Sequence, residues 1–317
     1  MIATIGIVGA GLMGHGIALA FARAGLAVRV HDPAPQALAG LNDRVAASMA
    51  AMGDGRAGID DALGRIATCP GLADAVDGAD LAVEAVPEKL DLKRSVFRDI
   101  EAAAPEWCIL ASNTSVLPIT DIAAGLKSRE RILGTHWWNP PHIVPLVEVI
   151  RTEWTSEAAV DATMAVLERI GKRPVRVERD VPGFIGNRLQ HALWREAVSL
   201  VENGVCDAET VDTVVKQSFG RRLAVLGPLE NADLVGTDLT LDIHRAVLPD
   251  LESRPGPSPY LESLVRGGRL GMAAGAGFRD WTPETARAVR ERLEAHLQRL
   301  ETILEQPAGS RSATPTA

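Results

Sequence analysis

A glycine-rich turn near the N-terminus constrains the fold of this chain more than any other feature. Gly9-Ala10-Gly11-Leu12-Met13-Gly14 has the spacing GxGxxG, follows the apolar run Ile5–Val8 and opens an amphipathic stretch. In a βαβ unit the first glycine makes a tight turn, the second lets the backbone approach a pyrophosphate, and the third lets the helix pack on the sheet. The alternative is a glycine-rich turn without a ligand. We expect a dinucleotide at the helix N-terminus, bound by Gly9, Gly11, Leu12, Met13 and Gly14.

An acidic residue beyond the turn indicates which dinucleotide is bound. Asp32 follows the apolar run Ala27–Val30, at the position where a carboxylate binds the ribose hydroxyls in such units. The same carboxylate repels a 2′-phosphate, and the next basic residue along the chain is Arg44. The sequence therefore predicts NAD, rather than NADP, as the cofactor.

The alternation of apolar runs and amphipathic stretches indicates the fold class. It is typical of an α/β fold with a mostly parallel sheet, whereas only helical patterns follow Pro182. We expect an α/β domain at residues 1–182, an all-α domain at 183–305, and a disordered tail at 306–317, which is rich in Ser, Thr, Pro and Ala. The expected strands are Ile5–Val8, Ala27–Val30, Leu81–Val86, Cys108–Ala111, Arg131–Thr135, Leu146–Ile150 and Val175–Val177.

Composition excludes several classes of partner. The 33 Lys and Arg against 41 Asp and Glu give a net charge of −8, which does not favour nucleic acids or anionic membranes. The three cysteines lie far apart without a CxxC pair, so we expect neither a metal site nor a disulfide framework. No apolar run approaches the roughly 18 residues of a spanning helix. We expect no signal peptide and a cytoplasmic location.

A histidine and a glutamate suggest a general base. His136 ends an apolar run, and Glu148 lies within Leu146–Ile150. A carboxylate among apolar strand residues is unfavourable unless it is paired, and a histidine twelve residues earlier, across a strand–turn–strand, is a suitable partner. An ionised glutamate orients an imidazole and favours its protonated form, which makes a base for an alcohol proton. The alternative is that Glu148 faces solvent at a strand end.

Four segments together resemble the 3-hydroxyacyl-CoA dehydrogenase family, over the chain from Ile5 to about Trp281. They are Ile7 to Gly14, Ala111-Ser112-Asn113-Thr114-Ser115, His136 to Ile150, and Pro182-Gly183-Phe184-Ile185-Gly186-Asn187-Arg188. The resemblance implies a Rossmann-like NAD-binding domain followed by a helical domain that dimerises. We expect a homodimer also because the apolar positions of the first helix after Pro182, including Leu193 and Trp194, lie on more than one face.

The resemblance also implies roles for individual residues. The family's catalytic histidine matches His136, and its paired glutamate matches Glu148. The serine and asparagine that hold the substrate oxygen match Ser115 and Asn187. A glutamate and a lysine that contact NAD, five residues apart, match Glu88 and Lys93, and Ser115 is expected on the cofactor side as well.

Departures from the family pattern bear on the substrate. Members that bind coenzyme A carry lysines after the second strand, whereas residues 41–57 here contain only Arg44 and Arg56. The family's late Lys-Lys-Thr-Gly motif is replaced at residues 271–275, and its Phe-Phe after the histidine by Trp137-Trp138. In these respects the chain is similar to members that act on small free acids, such as the dehydrogenases of pyridine carboxylates, gulonate and carnitine.

Three functions follow as hypotheses. The first is an NAD-dependent dehydrogenase that interconverts a 3-hydroxyacyl compound, or a small 3-hydroxy acid, and its 3-oxo product. The second is NAD-dependent oxidation of a small aldehyde or a pyridine-carboxylate-like substrate. The third is a non-catalytic NAD-binding protein of the crystallin kind, against which the complete set of expected catalytic residues argues.

Overall fold

Short runs of β-branched and aliphatic residues form the central sheet. The computed structural model describes residues 1–304, so the tail predicted at 306–317 lies outside the described residues. All seven expected strands are present with ends shifted by up to two residues, and a short strand, β3, is added. The strands are β1 Thr4–Val8, β2 Ala27–His31, β3 Ile66–Thr68, β4 Leu81–Glu84, β5 Ile109–Ser112, β6 Ile132–Trp137, β7 Leu146–Ile150 and β8 Arg173–Val177.

The eight strands form one sheet in the order β3-β2-β1-β4-β5-β6-β7-β8. Neighbouring strands are parallel except for β6 and β7, which are antiparallel. The carboxyl ends of β1, β4, β5 and β6 therefore meet at one edge of the sheet. The chain order reverses between β1 and β4, and such an edge is where α/β proteins bind their ligands.

Helices cover both faces of the sheet, which makes three layers. One apolar core contains side chains of α1, α3, α4 and α8, and the other contains side chains of α5, α6 and α7. This arrangement confirms the predicted α/β class. The helices of this part are α1 Leu12–Arg23, α2 Pro35–Ala39, α3 Leu41–Ala51, α4 Arg56–Gly64, α5 Leu72–Val76, α6 Leu90–Ala103, α7 Ile119–Ile122 and α8 Glu157–Arg169.

The segment between β2 and β4 differs most from the sequence-based expectation. The Ala-rich residues 35–52 form two helices, because Gly40 separates α2 from α3. A third helix, α4, follows although three glycines lie close together at 53, 55 and 58, and Gly58 is inside it. Glycine disfavours a helix by only about 1 kcal/mol, and Ala62 of α4 is buried in the core.

A second compact unit comprises Leu189–His296, while Met1–Arg188 and residues 297–304 belong to the first. The boundary predicted at residue 182 stays a prediction. Side-chain N-caps begin two helices of this unit: Asp207 accepts from Thr210 N at 2.7 Å, and Ser258 accepts from Leu261 N at 3.2 Å. The remaining helices are α9 Gly186–Glu202, α10 Ala208–Gln217, α11 Pro228–Val235, α12 Thr237–Val247, α13 Pro259–Arg266 and α14 Pro283–Leu304.

Candidate active site

The glycine-rich turn links β1 to α1 with the geometry that its spacing predicts. Gly9 has a φ of 110°, and a Cβ there would lie 2.6 Å from Ala85 O. A Cβ on Gly14 would overlap the carbonyl oxygen of Gly9, so the third glycine allows α1 to pack against the turn. Gly11 faces open space, as the approach of a pyrophosphate requires. Leu12 is exposed beside it, and Met13 is half-buried against the core.

Asp32, immediately after β2, binds the backbone of this turn. Its Oδ2 accepts from Ala10 N and its Oδ1 from Ala34 N, both at 2.8 Å. The carboxylate therefore lies at the carboxyl end of β2 beside the glycines, where a ribose is bound in folds of this kind. The open space at Gly11 and the position of Asp32 fit NAD.

Glu88 and Lys93, which the resemblance matches to NAD contacts, belong to a charged network at the carboxyl ends of β4 and β5. Lys93 is fully buried, and its Nζ donates to Glu84 Oε1 at 2.7 Å and lies 3.3 Å from Glu88 Oε2. Glu84 Oε2 also accepts from Ser112 Oγ at 2.6 Å. Burial raises the pKa of Glu84 although Lys93 and Ser112 oppose this effect. Sequence reasoning missed Glu84, yet a carboxylate within an apolar strand, the signal used for Glu148, could have found it.

Glu88 connects that network to the loop after β5. Its Oε1 accepts from Thr114 Oγ1, and from the backbone N–H groups of Ser115 at 3.0 Å and Val116 at 3.1 Å. Burial opposes ionisation, but the Thr114 hydrogen bond and the charge of Lys93 hold the pKa of Glu88 below its ordinary value. An ionised Glu88 thus fixes the backbone that carries Ser115.

Ser115 and Asn187 lie next to each other, although 72 positions separate them in the chain. Asn187, in the first turn of α9, donates from Nδ2 to Ser115 O at 2.8 Å. Asn187 is buried, whereas Ser115 is half-buried, and no residue among 1–304 is hydrogen-bonded to its Oγ. The structure thus brings together two residues that were matched to the substrate oxygen separately.

His136 and Glu148 face each other across the antiparallel strands β6 and β7. His136 Nδ1 is 2.7 Å from Glu148 Oε2, and Glu148 is only 1% exposed. Its Oε1 accepts from Ile185 N at 2.9 Å and Gly186 N at 3.0 Å, where α9 begins. The alternative of a solvent-facing Glu148 is therefore wrong.

These contacts define the protonation of the pair. Burial would raise the pKa of Glu148, but hydrogen bonds from His136, Gly186 and Ile185 outweigh it and lower the pKa. An ionised carboxylate only accepts hydrogen bonds, so Nδ1 of His136 carries the proton. In the neutral imidazole the lone pair is then on Nε2, to which no group among residues 1–304 is hydrogen-bonded. Such an imidazole can accept a proton at Nε2.

The two tryptophans after His136 have different surroundings. The Trp138 ring lies 5.1 Å from the His136 ring and occupies the space where a Cβ of residue 186 would lie. Trp137 is buried and packs edge-on against Phe21 at 5.6 Å, in the core beneath α1. Adjacent strand residues point to opposite faces. Of the two rings, Trp138 therefore lies beside the His136 ring, and Trp137 lies in the core.

No helix within residues 1–304 is long and apolar enough to cross a membrane. The described part of the chain also contains no cluster of three or more His, Cys, Asp or Glu side chains that could hold a metal ion.

Comparison with known proteins gives the same family as the sequence motifs. Residues 4–181 match the 3-hydroxyacyl-CoA dehydrogenase NAD-binding domain, and residues 183–281 match the C-terminal domain of that family. The chain is 37% identical to 5-formyl-3-hydroxy-2-methylpyridine 4-carboxylate 5-dehydrogenase of Mesorhizobium japonicum, over 96% of this chain and 99% of that protein. It is also 37% identical to a probable 3-hydroxybutyryl-CoA dehydrogenase of Bacillus subtilis, over 88% and 98% of the two chains.

Among solved structures, a 5-formyl-3-hydroxy-2-methylpyridine 4-carboxylic acid 5-dehydrogenase, described as an NAD⁺-dependent dismutase, superposes with a TM-score of 0.89. The two sequences are 37% identical, and the match covers 96% of this chain and 99% of the other. The two family domains occur in the expected order, and the relatives are similar over nearly the whole chain. Both findings agree with the NAD-binding geometry of the glycine-rich turn. The chain belongs to the 3-hydroxyacyl-CoA dehydrogenase family and is an NAD-dependent oxidoreductase.

Proposed function

We propose that this enzyme oxidises a hydroxyl-bearing carbon of a small free acid, with His136 as the general base. The contact between His136 Nδ1 and the buried Glu148 carries the proposal, because it leaves Nε2 to take the hydroxyl proton. The imidazolium that forms is stabilised by the negative charge of Glu148. NAD, when bound, supplies the hydride acceptor. A positioned base of this kind contributes about 10²- to 10⁴-fold to the rate.

Ser115 and Asn187 are the proposed ligands of the reacting oxygen. The Ser115 hydroxyl has no hydrogen-bond partner within residues 1–304, so it can donate to a substrate oxygen. Asn187 already donates to Ser115 O at 2.8 Å, which holds the serine in place, and its carboxamide lies next to the same position. Glu88 holds Ser115 as well, by accepting from its backbone N–H at 3.0 Å.

The surroundings of α3 support a free acid over a coenzyme A thioester. Residues 41–57 contain only two basic side chains, in place of the lysines that members binding coenzyme A carry there. Arg44 turns inward to Ala10 O at 2.7 Å, and Arg56 pairs with Asp60 at 3.0 Å. Charge-assisted hydrogen bonds contribute about 1.5–3 kcal/mol each, so their absence weakens the binding of the coenzyme A phosphates by orders of magnitude. Trp138 further narrows the space beside His136.

Oxidation of an aldehyde is the second candidate. The pyridine-carboxylate dehydrogenase matches nearly the whole of both chains, and the matching structure is described as a dismutase. A hydrated aldehyde carries a hydroxyl on the carbon that loses hydride, so proton removal by His136 would yield a carboxylic acid. In a dismutation a second aldehyde molecule gains that hydride and a proton and becomes the alcohol. The same base therefore fits both candidates.

Steady-state kinetics on matched compounds tests the proposal. We expect 3-hydroxybutyrate, or an aromatic hydroxy acid, to have a higher kcat/KM than 3-hydroxybutyryl-CoA. An aromatic aldehyde acid, assayed with and without added NAD, separates the second candidate, because dismutation forms acid and alcohol in equal amounts. A kcat/KM at least about tenfold higher for the thioester, roughly 1.4 kcal/mol in the transition state, would refute the preference for free acids.

A homodimer is the proposed assembly. Among the described residues of the unit Leu189–His296, Ala286 is the only buried apolar residue. Leu229 is 81% exposed and Leu234 70% on α11, and Trp194 is 51% exposed on α9. A monomer rarely leaves so much apolar surface in water. A second copy with C2 symmetry would cover the same patch on both chains.

A further inference from the structure

A positive charge lies beside the ribose end of the NAD site, where the sequence shows only Asp32. Arg44, in the first turn of α3, donates from Nη2 to Ala10 O at 2.7 Å and to Ala37 O at 2.8 Å. Ala10 lies between the first two glycines of the cofactor-binding turn, and its own N–H donates to Asp32 at 2.8 Å. Asp32 and Arg44 thus hold the same residue of that turn, one by its N–H and the other by its carbonyl.

The two opposite charges are therefore close in space. The backbone of a single residue joins the two hydrogen bonds, so Arg44 Nη2 and Asp32 Oδ2 are less than about 10 Å apart. Arg44 is twelve positions from Asp32 in the sequence, and the α2–α3 turn returns it to the glycines. A phosphate on the ribose hydroxyl bound by Asp32 would come within reach of this flexible side chain.

Arg44 also retains the donors that a phosphate needs. A guanidinium has five N–H groups, and the two on Nη2 are used by the carbonyls of Ala10 and Ala37. Within residues 1–304 no acceptor is hydrogen-bonded to Nε or Nη1 of Arg44. Both parallel pairs of guanidinium N–H groups include Nη2, so Nε and Nη1 can each offer a phosphate one charge-assisted hydrogen bond.

We propose that Arg44 is a specificity-determining residue for the cofactor, forming a 2′-phosphate site that Asp32 keeps closed to NADP. The carboxylate of Asp32 repels the 2′-phosphate and binds the unmodified ribose, so the intact site selects NAD. Once that charge is removed, the guanidinium of Arg44, which is hydrogen-bonded to Ala10 O, is left beside the turn. The choice between the two cofactors is thus a balance between one acid and one base rather than the effect of Asp32 alone.

Calorimetric dissociation constants for NAD and NADP test this balance. Asp32→Asn should bind NADP at least about tenfold more tightly than the wild type does, the lower end of one charge-assisted contact. Asp32→Asn combined with Arg44→Gln should lose that gain. The proposal is overturned if Asp32→Asn binds NAD without any gain for NADP, or if the double variant keeps the gain.

A second arm leaves Asp32 intact, because its contacts with Ala10 and Ala34 also shape the turn. The measured quantity is the dissociation constant for NADP divided by that for NAD. A general loosening of the turn weakens the binding of both cofactors alike and therefore leaves this ratio unchanged. Arg44→Gln should raise this ratio at least about fivefold relative to the wild type. Arg56→Gln, at an exposed arginine on α4, is the matched control. A ratio unchanged by Arg44→Gln contradicts the proposal even if Asp32→Asn fails to fold.

Discussion

Replacing Glu148 with glutamine separates the charge of the His136 partner from its shape. The carboxylate accepts from His136 Nδ1 at 2.7 Å, from Ile185 N at 2.9 Å and from Gly186 N at 3.0 Å. A glutamine oxygen can keep the two backbone bonds, and its NH₂ group then faces Nδ1. Two donors cannot face each other, so the imidazole proton moves to Nε2. The lone pair that takes the substrate proton is lost while the packing is kept.

The expected magnitude follows from the bonds that change. Turnover should fall by about 10²- to 10⁴-fold, the contribution of a positioned base. The free energy of unfolding should fall by about 1.5–3 kcal/mol, for one charge-assisted hydrogen bond. The dissociation constant for NAD should stay near the wild-type value, because the glycine-rich turn has no bond to Glu148.

Initial rates of NADH formation and urea unfolding curves provide the two readouts. Glu101→Gln is a matched control, since Glu101 also accepts two backbone N–H groups, from Lys127 at 2.9 Å and Ser128 at 2.7 Å, but lies away from His136. The control should retain wild-type turnover. Turnover of Glu148→Gln within about fivefold of the wild type would refute the argument from tautomers.

Three further predictions concern the cofactor turn, pH and assembly. Gly14→Ala should weaken NAD binding at least about tenfold, because its Cβ would overlap Gly9 O. Gly64→Ala is the control, since a Cβ at that position has free space. Fluorescence titration measures the NAD affinity of both variants, and equal affinities would contradict the packing argument. Burial lowers the pKa of His142 from 6.5 to about 4. As the pH drops from 6.5 to about 4, the unfolded chain therefore binds this proton before the folded chain does, and the free energy of unfolding should fall. Urea curves of His142→Gln should show a smaller fall, and an identical fall would remove His142 as a cause. Light scattering at micromolar concentration should give the mass of two chains, and a monomeric mass would contradict the proposed assembly.

The sequence predicts the fold best where short-range patterns coincide. The apolar runs at β1, β2 and β7 are short and end at glycine or polar residues, so their positions are confirmed within one residue. The strand β3 escaped detection because it has three residues, and among them only Ile66 is buried. The pattern there is too short to stand out from a loop.

The site was predictable in its residue types but not in its long-range contacts. The pairing of His136 with Glu148 follows from strand spacing, and the structure has the two residues directly opposite each other. The burial of Lys93 is not visible in the sequence, because a lysine at that point of an amphipathic helix equally suits a solvated face. Arg44 lies 34 positions from the carbonyl of Ala10 that it binds. Only the folded α2–α3 turn brings the two together.

The most direct test of the account is the turnover of His136→Gln, with NAD affinity measured on the same preparation. Glutamine keeps a polar side chain beside Glu148 but has no lone pair basic enough to take an alcohol proton. With the best substrate of the wild-type enzyme, we predict at least about a 10²-fold loss of turnover and an unchanged dissociation constant for NAD. Turnover within a few-fold of wild type would show that His136 is not the base.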